Sequence, residues 1–97
     1  MDKKIPESVG DVLRSLLEET SLQNRMDELK AVELWPLVAG QAIASECGRP
    51  NVKNGVMSIG VKNASLRHEL HMSRSNLRSL INNQLKKEII TEIKFIS

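Results

Sequence analysis

Residues 51–70 read N-V-K-N-G-V-M-S-I-G-V-K-N-A-S-L-R-H-E-L, and this stretch decides the fold. Asn54-Gly55 stands between two short runs in which apolar and polar residues alternate. Both residues tolerate positive φ, which a two-residue type I′ turn requires, so the stretch predicts a β-hairpin. The short loop also fixes the register, which pairs Lys53 with Val56, Val52 with Met57 and Pro50 with Ile59.

One face of the predicted hairpin is apolar and needs a helical layer over it. Successive side chains of a strand point to opposite faces, so four apolar residues share this face: Val52, Met57, Ile59 and Val61. Asn63 is a good N-cap for a following helix that begins at Ala64. Apolar residues at helical spacing extend this helix to about Lys86.

Two helices are predicted before the hairpin. Ser8 is a good N-cap for a helix over residues 9–19, which Thr20-Ser21 separates from a second helix. At Trp35-Pro36 the second helix either ends and restarts or continues with a kink. Gly40 falls inside the continuing apolar pattern, where we expect it to let another element's backbone come close.

The end of the chain predicts one more strand, because Ile89, Thr91, Ile93 and Phe95 alternate with their neighbours. The order is therefore α-α(kinked)-β-β-α-β. This is an α+β fold with a three-stranded sheet that helices cover on one face. A chain of 97 residues has room for one core, so residues 1–97 are expected to form a single domain, with its core over about residues 8–96.

Charge is distributed unevenly along the chain. Residues 1–48 carry five Lys/Arg and nine Asp/Glu, whereas residues 49–97 carry nine Lys/Arg and three Asp/Glu. One half is therefore acidic and the other basic, which favours two surfaces with different partners. Alternatively, acidic helices and a basic sheet layer balance each other and keep the protein in solution.

The composition predicts a cytoplasmic protein with no membrane association. The first eight residues contain no apolar run typical of a signal peptide, and no stretch approaches the ~18 apolar residues of a membrane span. Cys47 is the only cysteine. It therefore cannot form an intrachain disulfide or a cysteine-based metal site, and a reducing cytoplasm is its natural setting.

Catalytic chemistry has little support in this sequence. A nucleophile needs a neighbouring base, and a metal ion needs three or four convergent ligands. His68 and His71 are the only histidines, and no carboxylate or cysteine stands at a spacing that completes a site with them. We expect Cys47 to be a small buried residue. The sequence therefore predicts no enzyme, no metal and no cofactor.

A stripe of basic side chains is expected on the helix after the hairpin. This basic stripe recurs at i, i+4, i+7 and i+11 and consists of Arg67, His71, Arg74 and Arg78. Four lysines flank it, namely Lys53, Lys62, Lys86 and Lys87. Such a stripe either neutralises a phosphate backbone, with an affinity that falls steeply with salt, or is a solvated helix face.

Aromatic rings are scarce, and this limits the mode of nucleic-acid binding. Single-strand binders usually stack bases on aromatic side chains, but Trp35 and Phe95 are the only aromatic residues here. Trp35 stands beside Leu34, Leu37 and Val38, which favours a core anchor over a stacking platform. Any nucleic-acid binding is therefore expected to be weak and electrostatic.

Several short motifs follow one another along the chain, namely W-P-L-V-A-G-Q-A-I-A at residues 35–44, a proline, N-G-V-M-S-I-G-V at residues 54–61, A-S-L-R-H-E-L at residues 64–70 and a closing I-x-x-I-x-F. In their order these motifs resemble those of the DciA-like bacterial proteins. The resemblance spans roughly residues 8–96. Members of the family often have a tryptophan near the start of the last helix, where this chain has Ser65-Leu66.

The resemblance implies a KH-like domain with a non-enzymatic role. That role is to recruit or load the replicative DnaB-type helicase, with some affinity for single-stranded DNA. The G-x-x-G loop with which KH domains clamp nucleotides is absent here, so the basic stripe is inferred from residue spacing and not from the family. The alternative is a general RNA- or DNA-binding module without a helicase role. In the helicase hypothesis, the acidic first helices face the protein partner.

Overall fold

The computed structural model describes residues 5–97, with side chains from Val9 onward. These residues form the α+β fold that the sequence predicted, with helices followed by a mixed sheet. In chain order the elements are α1 (Ile5–Ala39), α2 (Gln41–Ser45), β1 (Asn51–Lys53), β2 (Val56–Gly60), α3 (Ala64–Met72), α4 (Arg74–Leu85) and β3 (Glu92–Ile96).

The hairpin forms around Asn54-Gly55 as predicted. Asn54 has a φ of 52° and Gly55 a φ of 84°, as the type I′ turn requires. β1 begins at Asn51, so Pro50, which was predicted to face Ile59, lies before the ladder. Within the ladder the predicted register is confirmed, with the pairs Asn51–Ser58, Val52–Met57 and Lys53–Val56.

The sheet has the order β1-β2-β3, with β2 antiparallel to β1 and parallel to β3. Parallel neighbours need a crossover connection, which α3 and α4 supply. The helices cover the apolar face of the sheet and enclose a core made of Ala31, Val32, Trp35, Val52, Met57, Ile59, Val61, Leu70, Leu77, Ile81, Ile90 and Ile93.

The long first helix α1 replaces the two helices that were predicted. A break at Thr20-Ser21 was wrong, because serine and threonine cost only about 0.5 kcal/mol each inside a helix. The helix begins at Ile5, so Ser8, the predicted N-cap, lies within it. Pro6 falls in the first turn, where its missing N–H donor is tolerated. The helix also continues past Pro36, which was one of the two predicted alternatives.

Gly40 separates α1 from α2, and its role differs from the predicted one. Its φ of 94° and ψ of 148° lie close to a region that glycine alone adopts readily. A Cβ atom placed on Gly40 would meet no atom within 4 Å. The expectation of a close backbone approach was therefore wrong, and Gly40 serves the change of chain direction.

The helix predicted from Ala64 to about Lys86 is divided at Ser73 into α3 and α4. Asn63 caps α3 as predicted, because its side-chain oxygen accepts a hydrogen bond from the Leu66 N–H at 3.0 Å. α4 ends where Lys86 adopts a left-handed conformation with a φ of 60°. The predicted end of the helical region is confirmed, whereas the interruption at Ser73 was missed.

Two buried side chains fix the helices to the sheet. Trp35 is 1% exposed, and its ring lies 5.9 Å from that of Phe95, so its predicted role as a core anchor is confirmed. The amide of Asn82 donates to the Ile90 carbonyl at 2.8 Å and accepts from the Ile90 N–H at 2.9 Å. This pair of buried hydrogen bonds holds the chain that leads into β3.

Candidate nucleic-acid interface

The basic stripe spans the interruption between α3 and α4. Arg74 Nη1 lies 3.1 Å from His71 Nε2 and donates a hydrogen bond to the His71 carbonyl at 2.8 Å. Both side chains are exposed. The structure thus brings these two predicted residues together, one from each helix.

Arg74 and Arg78 line a shallow cleft between α4 and β3. Its volume is about 310 Å³, and its walls are formed by Arg74, Ser75, Arg78, Thr91, Glu92 and Ile93. Guanidinium and hydroxyl donors are the groups that bind phosphate oxygens in nucleic-acid interfaces. Arg78 also lies 3.8 Å from the carboxylate of Glu88, which is 83% exposed. Exposed pairs of this kind contribute little free energy, so Arg78 can exchange this partner for a phosphate.

Arg67 has a different environment from the other members of the basic stripe. Its Nη1 donates to the Val61 carbonyl at 2.8 Å, and the side chain is half-buried. This hydrogen bond connects α3 to the residue that follows β2. Replacing Arg67 therefore removes a structural contact as well as a charge.

The flanking lysines are placed in several environments. Lys87 donates to the buried carboxylate of Asp27 at 2.9 Å, and Gln23 donates to the second carboxylate oxygen at 3.2 Å. The hydrogen bond from Lys87 is the main reason why the pKa of Asp27 is lowered from its ordinary value. Lys87 thus connects the end of α4 to α1, whereas Lys62 and Lys86 are exposed.

Lys53 lies beside a second cleft, between α1 and the tip of the hairpin. The cleft has a volume of about 460 Å³ and is lined by Ser21, Asn24, Arg25, Glu28, Lys53, Asn54, Gly55, Glu88, Ile89 and Thr91. Glu28 accepts a hydrogen bond from the Gly55 N–H at 3.1 Å, and Arg25 donates to the Val52 carbonyl at 3.3 Å. Arg25 was not predicted as a site residue, because it belongs to the acidic half of the chain.

The two histidines and the cysteine do not form a catalytic or metal-binding site with other side chains of the described residues. His68 and His71 are exposed, and Cys47 is half-buried, with the pKa of its thiol raised by burial. Among the side chains of residues 9–97, no three from His, Cys, Asp or Glu come together in a way that could hold a metal ion. None of the helices in this part of the chain has the length and apolarity needed to cross a membrane.

The fold and these surfaces define a small α+β domain with basic side chains along α3 and α4. A family model described as "Dna[CI] antecedent, DciA" matches residues 8–95, which is nearly the whole chain. The chain therefore belongs to the DciA family, a family of helicase loaders in bacterial DNA replication that is associated with the replicative helicase DnaB. No curated protein matches the chain.

Proposed function

We propose that this protein is a non-enzymatic cytoplasmic adaptor that binds a DnaB-type replicative helicase and promotes its loading onto DNA. The observation that carries this proposal is the family match over residues 8–95. The protein offers clefts and exposed helix faces to a partner, and its basic and acidic residues lie in different parts of the chain. These properties fit a protein that contacts two kinds of macromolecule.

Weak contact with single-stranded DNA is the second part of the proposal. Arg74 and Arg78 present two guanidinium groups to one cleft, together with the hydroxyl-bearing residues Ser75 and Thr91. Glu92 in the same cleft and Glu88 beside Arg78 reduce the local positive charge. The shortage of aromatic rings leaves little base stacking, so the expected binding is electrostatic and tolerant of sequence.

Binding to the purified DnaB-type helicase of the same bacterium tests the first part. Isothermal titration calorimetry at low salt should show saturable binding of the folded protein. Absence of heat and of co-migration in size-exclusion chromatography, with protein whose circular dichroism confirms folding, would exclude the adaptor role.

The DNA contact is tested by the double variant Arg74→Ala/Arg78→Ala. Its affinity for a fluorescent single-stranded oligonucleotide should fall several-fold at low salt. The slope of log affinity against log salt should decrease by about 1.4, since each phosphate contact contributes about 0.7. Arg14→Ala/Lys30→Ala is the control, because it removes the same charge from the acidic half and should retain wild-type binding. Equal loss in both variants would mean that net charge, and not the cleft, attracts DNA.

A general nucleic-acid-binding module is the second candidate function, and the Arg74–Arg78 cleft is the observation in its favour. This candidate predicts salt-dependent binding of RNA or DNA and no binding to the helicase. The calorimetric experiment therefore separates the two functions, because only the adaptor gives a saturable helicase signal.

A further inference from the structure

The first part of α1 extends beyond the domain. Every side chain from Val9 to Met26 is exposed, and Asp27 is the first buried residue after them. We call residues 9–26 the projecting half of α1. At 1.5 Å per residue it is about 27 Å long, and the longest dimension of the molecule is 64 Å. The projecting half therefore presents most of its surface to solvent, and only its last turns lie beside the hairpin, where Arg25 donates to the Val52 carbonyl.

An apolar stripe runs along this projecting half. It recurs at i, i+3, i+4, i+7 and i+8 and consists of Val9, Val12, Leu13, Leu16 and Leu17. Each of these side chains is between 46% and 69% exposed. At 100° per residue the stripe covers an arc of about 140°, and the same arc further along the helix contains the buried residues Asp27, Ala31 and Trp35. The stripe thus continues the core-facing side of α1 past the edge of the domain.

A helix in this situation lacks its usual source of stability. Helices in proteins owe most of their stability to packing of an amphipathic face, and short isolated helices are marginal in water. Gly10 weakens this segment further, because glycine has a low helix propensity. Contiguous exposed apolar surface of this kind marks interaction sites, so the apolar stripe is expected to be covered by a partner.

We infer that the projecting half of α1 binds the helicase, in a groove on the helicase surface that is apolar and has a basic rim. This inference rests on the proposed function. The spacing of the apolar stripe is that of helix-in-groove recognition, in which residues at i, i+3, i+4 and i+7 supply the anchors. The polar side of the projecting half carries three carboxylates, on Asp11, Glu18 and Glu19, and two arginines, Arg14 and Arg25, so its excess of one negative charge complements Lys and Arg side chains on the groove.

A groove fits the projecting half better than a second copy of this chain. Leu22 is 65% exposed and lies on the side of α1 opposite to the apolar stripe, and Met26, which is 53% exposed, lies beside the edge of the stripe. A groove that encloses the helix covers both sides, whereas a second helix alongside covers one.

The surface of the projecting half has a hollow that can accept a side chain of the partner. It is lined by Arg14, Leu17, Glu18, Ser21 and Leu22. Four of these residues have the i, i+3, i+4, i+7 arrangement that forms the hole for a knob in helix packing. The small side chain of Ser21 leaves this hole open, and Leu17 and Leu22 make its edges apolar.

The variant Leu13→Glu/Leu16→Glu tests the inference with the purified helicase. Both leucines are about half exposed, so the variant should fold like the wild type. Its affinity for the helicase should fall by at least about tenfold, as for central interface residues, while its affinity for single-stranded DNA stays unchanged. The matched control Leu37→Glu/Met72→Glu changes two residues that are exposed elsewhere, and it should bind the helicase normally.

A second pair of variants tests the chemistry of the groove. Glu18→Lys/Glu19→Lys reverses the charge beside the apolar stripe and should weaken helicase binding at low salt, with recovery as the salt concentration rises. Glu33→Lys/Glu46→Lys makes the same change of net charge in the rest of the acidic region and should leave the affinity nearly unchanged.

The outcomes separate the inference from the function on which it rests. If the wild type binds the helicase and Leu13→Glu/Leu16→Glu binds equally well, the inference is wrong and the adaptor role stands. If the wild type does not bind, both are wrong. If sedimentation shows that the wild type is a dimer and that Leu13→Glu/Leu16→Glu is a monomer with unchanged helicase affinity, the partner of the apolar stripe is a second copy, and the inference is overturned.

Discussion

The two halves of α1 have similar sequence patterns and opposite environments. In the projecting half, leucines and valines recur at helical spacing and all are exposed, whereas residues 27–39 bury Ala31, Val32 and Trp35 against the sheet and α4. Helical periodicity therefore identifies an apolar face but does not say what covers it. On this account, residues 27–39 stabilise the fold, and the projecting half recognises the helicase.

The largest expected difference is in the free energy of unfolding, when one apolar side chain is removed from each half of α1. Trp35→Ala should lower the free energy of unfolding by about 3–5 kcal/mol, because it leaves a cavity against Phe95 and the core. Leu16→Ala should change it by less than about 0.5 kcal/mol, since that side chain is exposed. Urea unfolding followed by circular dichroism measures both. A loss above about 2 kcal/mol for Leu16→Ala would mean that the apolar stripe packs on the domain in solution.

A smaller effect is expected from one glycine in each region. Gly55→Ala should destabilise the protein by about 1–3 kcal/mol, because Gly55 has positive φ and a Cβ there would lie 3.1 Å from the Ile89 carbonyl and from Thr91 Oγ1. Gly10→Ala has open space around it and should raise the helical signal without destabilising the domain. The comparison of thermal midpoints and far-UV spectra checks both. A stabilising Gly55→Ala would contradict the close approach at the hairpin tip.

The smallest effect concerns two aspartates of α1. The pKa of Asp27 is lowered from 3.8, mainly by its hydrogen bond from Lys87. Its stabilisation is therefore complete above the ordinary pKa and is lost as the pH falls through the lower pKa of the folded protein. Asp27→Asn should have a lower thermal midpoint at neutral pH and a shallower decrease on acidification than the wild type.

Asp11 provides the control for this pH dependence. It pairs with Arg14 at 3.3 Å, but both side chains are about 70% exposed, so solvent and salt screen the interaction. Asp11→Asn should therefore follow the wild-type profile of thermal midpoint against pH. If Asp27→Asn also follows that profile, the Asp27–Lys87 hydrogen bond does not persist in solution.

The sequence predicted those parts of the fold that depend on local chemistry. Asn54-Gly55 specified the turn and its register, and Asn63 specified the start of α3, because each acts within a few residues. The helix break predicted at Thr20-Ser21 was wrong, because these two residues disfavour a helix only weakly and the segments on either side are helical. The Asp27–Lys87 contact joins residues 60 positions apart, so no local pattern could reveal it.

The candidate site was predictable to a smaller degree. Spacing placed His71, Arg74 and Arg78 on one stripe, and in the structure Arg74 contacts His71 and lines the cleft between α4 and β3 together with Arg78. Spacing could not show that Arg67 and Lys87 are also engaged in structural hydrogen bonds. These hydrogen bonds depend on residues that are distant in the sequence, and only the folded structure shows which residues those are.

Hydrogen–deuterium exchange of the protein with and without the DnaB-type helicase tests the central claim most directly. Amides of residues 9–26 should exchange rapidly in the free protein, because this half of α1 has no packed face, and should become protected in the complex. Amides of residues 27–39 should be protected in both states. Protection that appears only in β1–β3 or along α3 and α4, with residues 9–26 still exchanging rapidly in a saturated complex, would contradict the assignment of recognition to the projecting half.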